Sequence, residues 1–133
     1  MKDLIALCAV FLLLMTFPVQ YALNTKNHYT ISIVQKHVHN AKELSRLEGY
    51  FTDTIKNNLV DNISSDTGLD GSEILIEATE MSQRKNRGSL LYYKVRVPLK
   101  KIIATNQFWG ISDDDNQSVY IIENYAVSEW LGK

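Results

Sequence analysis

The sequence predicts an α+β fold in which a long N-terminal helix, first apolar and then amphipathic, packs on a small three-stranded antiparallel sheet. Three observations carry this. Residues 4–23 are apolar over a full membrane-spanning length, residues 24–65 repeat their apolar positions at steps of three and four, and residues beyond 73 alternate at a step of two. The chain has 133 residues, enough for one small domain. Its boundaries are read as an anchor over 1–23, an amphipathic helical region over 24–66 and an antiparallel β domain over 67–133.

The first segment, residues 4–17, reads LIALCAVFLLLMTF, and continuing to Leu23 gives the roughly 20 residues that cross about 30 Å of hydrocarbon as a helix. A helix is required there because lipid offers no partner for backbone N–H and C=O groups. Three fates are open to such a segment. A cleaved signal peptide would use Lys2 and the apolar run, but Gln20-Tyr21-Ala22 is a poor cleavage site. A lipoprotein signal would need Cys8, which precedes most of the apolar run. A retained anchor fits the full span length and the helical pattern that continues past it, and is preferred. The residues expected to serve the membrane or assembly are Leu4, Phe11, Leu14, Phe17 and Pro18. Pro18 lacks an N–H, so it marks a kink, the membrane exit or the end of a signal peptide.

Past the span, Ile31, Val34, Val38, Ala41 and Leu44, then Leu47, Phe51, Ile55, Leu59 and Ile63, form two apolar rows with polar residues between them. Gly49 separates the rows and is expected to break or bend the helix, while Thr67-Gly68 supplies a stop. Ile74, Ile76 and Ala78 alternate as a strand, residues 81–88 are a charged turn, and Leu91, Tyr93, Val95, Val97 and Leu99 make the clearest strand. Pro98 points to an edge or to the end of regular pairing. Residues 106–118 read as a long loop, after which Val119, Ile121, Tyr125 and Val127 share one face of a last strand. Short polar connections make the three strands a meander.

Chemistry-bearing patterns are sparse. The formal net charge is −1 with no basic stripe, which argues against nucleic-acid binding. No catalytic, cofactor-binding or metal motif is recognisable, so no enzyme activity, cofactor or small-molecule substrate is expected. Asp113-Asp114-Asp115-Asn116 lacks the ligand alternation, glycine and distal glutamate of a calcium loop and reads as a solvated acidic turn. His37 and His39 point about 200° apart on a helix and make no zinc pair. The apolar cluster Phe108-Trp109-Gly110-Ile111 has two readings: core folded over the sheet, or an exposed contact for a partner subunit or membrane surface. Trp130 has the same two.

The layout resembles type IV pilin-like or TadE-like small membrane proteins, and more narrowly a family encoded on conjugative and other mobile elements of Gram-positive bacteria. The residues that carry the resemblance are Phe17-Pro18-Val19 at the end of the span, the amphipathic helix to about Glu48, Thr67-Gly68-Leu69-Asp70, Phe108-Trp109-Gly110 and Ser128-Glu129-Trp130. It implies a structural subunit of a pilus, secretion or conjugation apparatus whose partners are membrane lipid and other pilin-like or channel subunits. It also implies a single-pass protein with its folded domain outside the cytoplasm, although Lys26, Lys36, Lys42 and Arg46 on the far side of the span do not favour that direction. The pilin leader glycine and the glutamate five residues into the mature chain have no counterpart, Asp3 being the nearest acid. Two other functions fit the same pattern: a secreted binding domain released by signal peptidase, and a bitopic scaffold of a conjugation channel.

Overall fold

A computed structural model describes residues 1–132. The fold is α+β: helix α1 (Lys2–Glu48), helix α2 (Asp53–Thr67) and strands β1 (Leu75–Ala78), β2 (Leu90–Lys100) and β3 (Gln117–Val127), with the helices packed on an antiparallel sheet in the order β1-β2-β3. The chain divides into two compact units. One comprises Met1–Tyr29 and Leu99–Ser118, the other Thr30–Pro98 and Val119–Lys133.

In the second unit a single core joins Val34, Val38 and Ala41 of α1, Phe51 of the interhelical turn, Ile55, Leu59 and Ile63 of α2, and Leu91, Tyr93, Val95 and Val97 of β2. The period-two reading of β2 therefore holds from Leu91 to Val97, while Leu99, expected on the same face, is only half-buried. The helical stripe holds in part. Leu44 and Leu47 are exposed, and Ser45 is the residue of that turn which is buried. The buried positions 34, 38, 41 and 45 keep steps of four, three and four, so Leu44 lies one position off the stripe. Ser45 enters the core because its hydroxyl donates to the Lys42 carbonyl at 2.8 Å, leaving no orphan donor.

Gly49 ends α1 with φ at +75°, and its N–H donates to the Ser45 carbonyl. A Cβ there would lie 2.6 Å from the Lys85 carbonyl oxygen and 3.0 Å from the Trp130 Cβ. Gly49→Ala thus meets both a left-handed backbone and a clash with main chain. It is expected to destabilise this unit by about 2 kcal/mol or more, read as a lower chemical-denaturation midpoint. Gly68→Ala, also left-handed but with nothing within 4 Å of the added methyl, should cost less. Helix α2 opens on Thr52, whose hydroxyl accepts from the Ile55 N–H at 3.1 Å, and closes on Gly68 as expected.

Of the two readings of Pro98, the end of pairing holds and the edge does not: β2 is central, and Pro98 lies beyond Arg96, which pairs with Leu75 at the last register position with β1. In β3, Val119, Ile121, Tyr125 and Val127 do share a face, but it faces outward; Tyr120, Ile122 and Ala126 turn to the core. Trp130 is half-buried, with the Arg84 guanidinium 4.3 Å from its ring. His37 bonds Asp66 at 2.7 Å, joining α1 to α2.

Candidate functional site

The apolar segment is the start of α1, which passes through Pro18 without interruption. None of its most apolar stretch is buried. By length and composition this helix can span a membrane. Leu4, Phe11, Leu14 and Phe17 are all exposed on it.

The chain between β2 and β3 folds alongside this helix within the first unit. Lys101 leaves β2 with φ at +63°, a conformation that a non-glycine residue adopts at some cost. The Asn27 amide donates to its carbonyl. Gln20 then fastens the segment to the helix. Its amide nitrogen donates to the Ile102 carbonyl and its amide oxygen accepts from the Ala104 N–H, both at 2.9 Å. Asn116, itself buried, closes the segment from the other end. Its side-chain oxygen accepts from the N–H groups of Ile102 and Ile103, and its side-chain nitrogen donates to the Ile103 carbonyl. Asn106, also buried, donates to the Ile111 carbonyl and to Asp113.

These bonds carry a 3-10 turn, Asn106–Trp109, whose tip presents Phe108 at 77% and Trp109 at 62% exposure. Their rings meet edge to face at 5.2 Å. The cluster is therefore not core over the sheet. Instead Thr105, Phe108 and Trp109 face Ala9, Leu12, Leu13, Thr16 and Val19 across a groove of about 510 Å³. The helix contributes positions at steps of three and four, one continuous face. Phe108 and Trp109 are thus brought to the apolar helix, whereas Leu4, Phe11, Leu14, Phe17 and Pro18 do not line this groove. Gln20, Asn106 and Asn116 were not singled out from the sequence.

Asp113 and Asp115 accept hydrogen bonds from Asn106 and Ser112, the latter at 2.7 Å. Among the described residues no group of three or more His, Cys, Asp or Glu side chains is placed to hold a metal.

The outward sheet face of the second unit is a separate surface. Tyr92 donates to Glu123 at 2.9 Å and Lys94 pairs with the same carboxylate at 3.3 Å. Those two contacts, Tyr92 first, hold the Glu123 carboxyl below its ordinary range, while partial burial and then the Glu123 contact push the Tyr92 phenol upward. Around this polar centre stand Leu75, Val119, Ile121, Tyr125 and Val127, all exposed. No protein-family model, no curated protein and no solved structure matches the chain.

Proposed function

We propose that this protein is a membrane-anchored, pilin-like structural subunit of a pilus, secretion or conjugation apparatus, held in the bilayer by the first half of α1. The observation that carries the proposal is the continuity of α1: the apolar segment, none of whose most apolar stretch is buried, runs without interruption into the residues that supply Val34, Val38 and Ala41 to a folded core. One helix thus supplies both the apolar segment and part of a folded core, as a pilin-like subunit requires. Subunits would associate through their spans by van der Waals packing, since lipid tails remove any hydrophobic drive between helices. The outward apolar sheet face gives the folded unit a second surface of the kind that marks protein contacts.

Retention of the segment is favoured over release by Gln20. It stands at the poor cleavage site, and its side chain holds the backbone of residues 102–104. Cleavage between Gln20 and Lys26 would remove that hold.

Cys8 tests the proposal, being the chain's one cysteine and exposed on the span. A cysteine-to-cysteine bismaleimide added to native membranes is expected to give a covalent dimer, the largest product that one thiol per chain allows. Mass spectrometry of the same sample is expected to find an N-terminus at Met1 or Lys2. A monomer only, starting between Ala22 and Lys26, would mean a released binding domain. A retained N-terminus with no dimer and no labelled surface filaments would mean a non-polymerising scaffold.

A further inference from the structure

The groove between α1 and the 3-10 turn lies along the apolar segment itself. Counting 1.5 Å per helical residue from Leu23, Val19 lies about 6 Å and Ala9 about 21 Å into a hydrocarbon layer about 30 Å thick. Both the turn and its groove therefore fall within the hydrocarbon wherever residues 4–23 do. Non-helical backbone is tolerated at that depth only where the protein itself shields and pairs its polar groups. Here the N–H groups of Ile102 and Ile103 go to Asn116, that of Ala104 to Gln20, and those of Phe108, Gly110 and Ile111 to carbonyls of the turn.

The charge pattern agrees with that depth. Residues 102–112 carry no charge, while Lys100-Lys101 precede them and Asp113-Asp114-Asp115 follow. The Lys101 carbonyl is bonded to Asn27, which lies about 6 Å beyond Leu23 on the helix, at headgroup level. Two exposed aromatic rings at the tip of an uncharged, internally bonded segment suit a lipid environment and are costly in water.

We propose that residues 102–112 are a second membrane-contacting element, with Phe108 and Trp109 entering the leaflet that borders Leu23 and the groove beside them holding a lipid acyl chain. This rests on the reading of residues 4–23 as a membrane span. Acyl chain is the occupant that the position selects. The groove wall is the span's own surface, its lining is apolar apart from Thr16 and Thr105, and the bilayer that surrounds the span fills any apolar opening along it.

The chain has two tryptophans, so Trp130→Phe leaves Trp109 as sole reporter. The full chain is reconstituted into phosphatidylcholine vesicles whose acyl chains carry bromine, and flotation is scored on the same sample. Flotation with a blue-shifted Trp109 emission, quenched severalfold more by the brominated lipid than by aqueous iodide, is the expected result. In the same background Gln20→Ala, which unfastens the segment from the helix, is expected to float equally and to lose much of that lipid quenching. The Trp109 signal is also isolated without touching Trp130, as the difference between the wild type and Trp109→Phe. A chain that floats while Trp109 is quenched by iodide and not by lipid places the turn in water. Quenching by neither means that a second copy covers the groove. Either outcome overturns the proposal and leaves the span standing, whereas a chain that fails to float overturns the span.

Discussion

Leu14→Arg is expected to move the chain out of the membrane fraction. Leu14 is exposed near the middle of the apolar segment, where nothing in the protein covers it. An arginine at the centre of a span costs about 2.5–3.5 kcal/mol, against a gain of about 0.5 kcal/mol for each leucine it must be weighed with. One substitution therefore offsets roughly six leucines, a large share of what this segment contributes. The measurement is the fraction of chain left in the pellet after alkaline carbonate extraction. Leu44→Arg supplies the comparison: Leu44 is also exposed and lies in the same helix, but beyond the apolar segment, and its replacement should leave the distribution unchanged. Equal behaviour of the two variants would mean that the apolar segment is not what holds the chain.

Ile63→Ala is expected to have the largest effect on the folded unit. Ile63 is fully buried at 0% exposure, near the end of α2 and within the single core. Truncating it removes apolar contact and leaves a cavity, which together cost about 2–5 kcal/mol. Against a total stability of about 5–15 kcal/mol that is a substantial fraction, visible as a fall of about 10 °C or more in Tm for the full chain in detergent. Val119→Ala, on the outward sheet face, should change Tm by a small fraction of that. If the two substitutions were equivalent, the placing of Ile63 in the core and of Val119 on an outward surface would be wrong.

The sequence announces most of this fold where chemistry and geometry agree. Leu91, Tyr93, Val95 and Val97 alternate with more polar neighbours, so the strand and its buried face are both readable. Gly68 is legible because a left-handed cap has few alternatives to glycine. Strand β3 was harder. Apolar residues occupy both of its faces, and alternation then reports a strand without saying which side is buried. The helical stripe drifted past Leu44 because a self-bonded serine, Ser45, fills the buried position there.

The candidate site was half visible. An apolar Phe108-Trp109 pair within a polar loop stands out by composition. Gln20 and Asn116 do not, since an amide bonding to backbone leaves no periodic trace, and Gln20 reaches a partner 84 residues away in Ala104. Such contacts are written in the tertiary structure alone.

Asn116 has a consequence for how readily the aromatic tip can bind anything at all. Its four hydrogen-bonded links to Ile102 and Ile103, counting the bond from the Ile102 N–H to its own main-chain carbonyl, tie off the base of the segment before any ligand or lipid arrives. The conformational entropy of closing that loop is therefore lost during folding and not during association. Any contact that Phe108 and Trp109 make would then carry less ordering cost than one made by a loop that must close on binding.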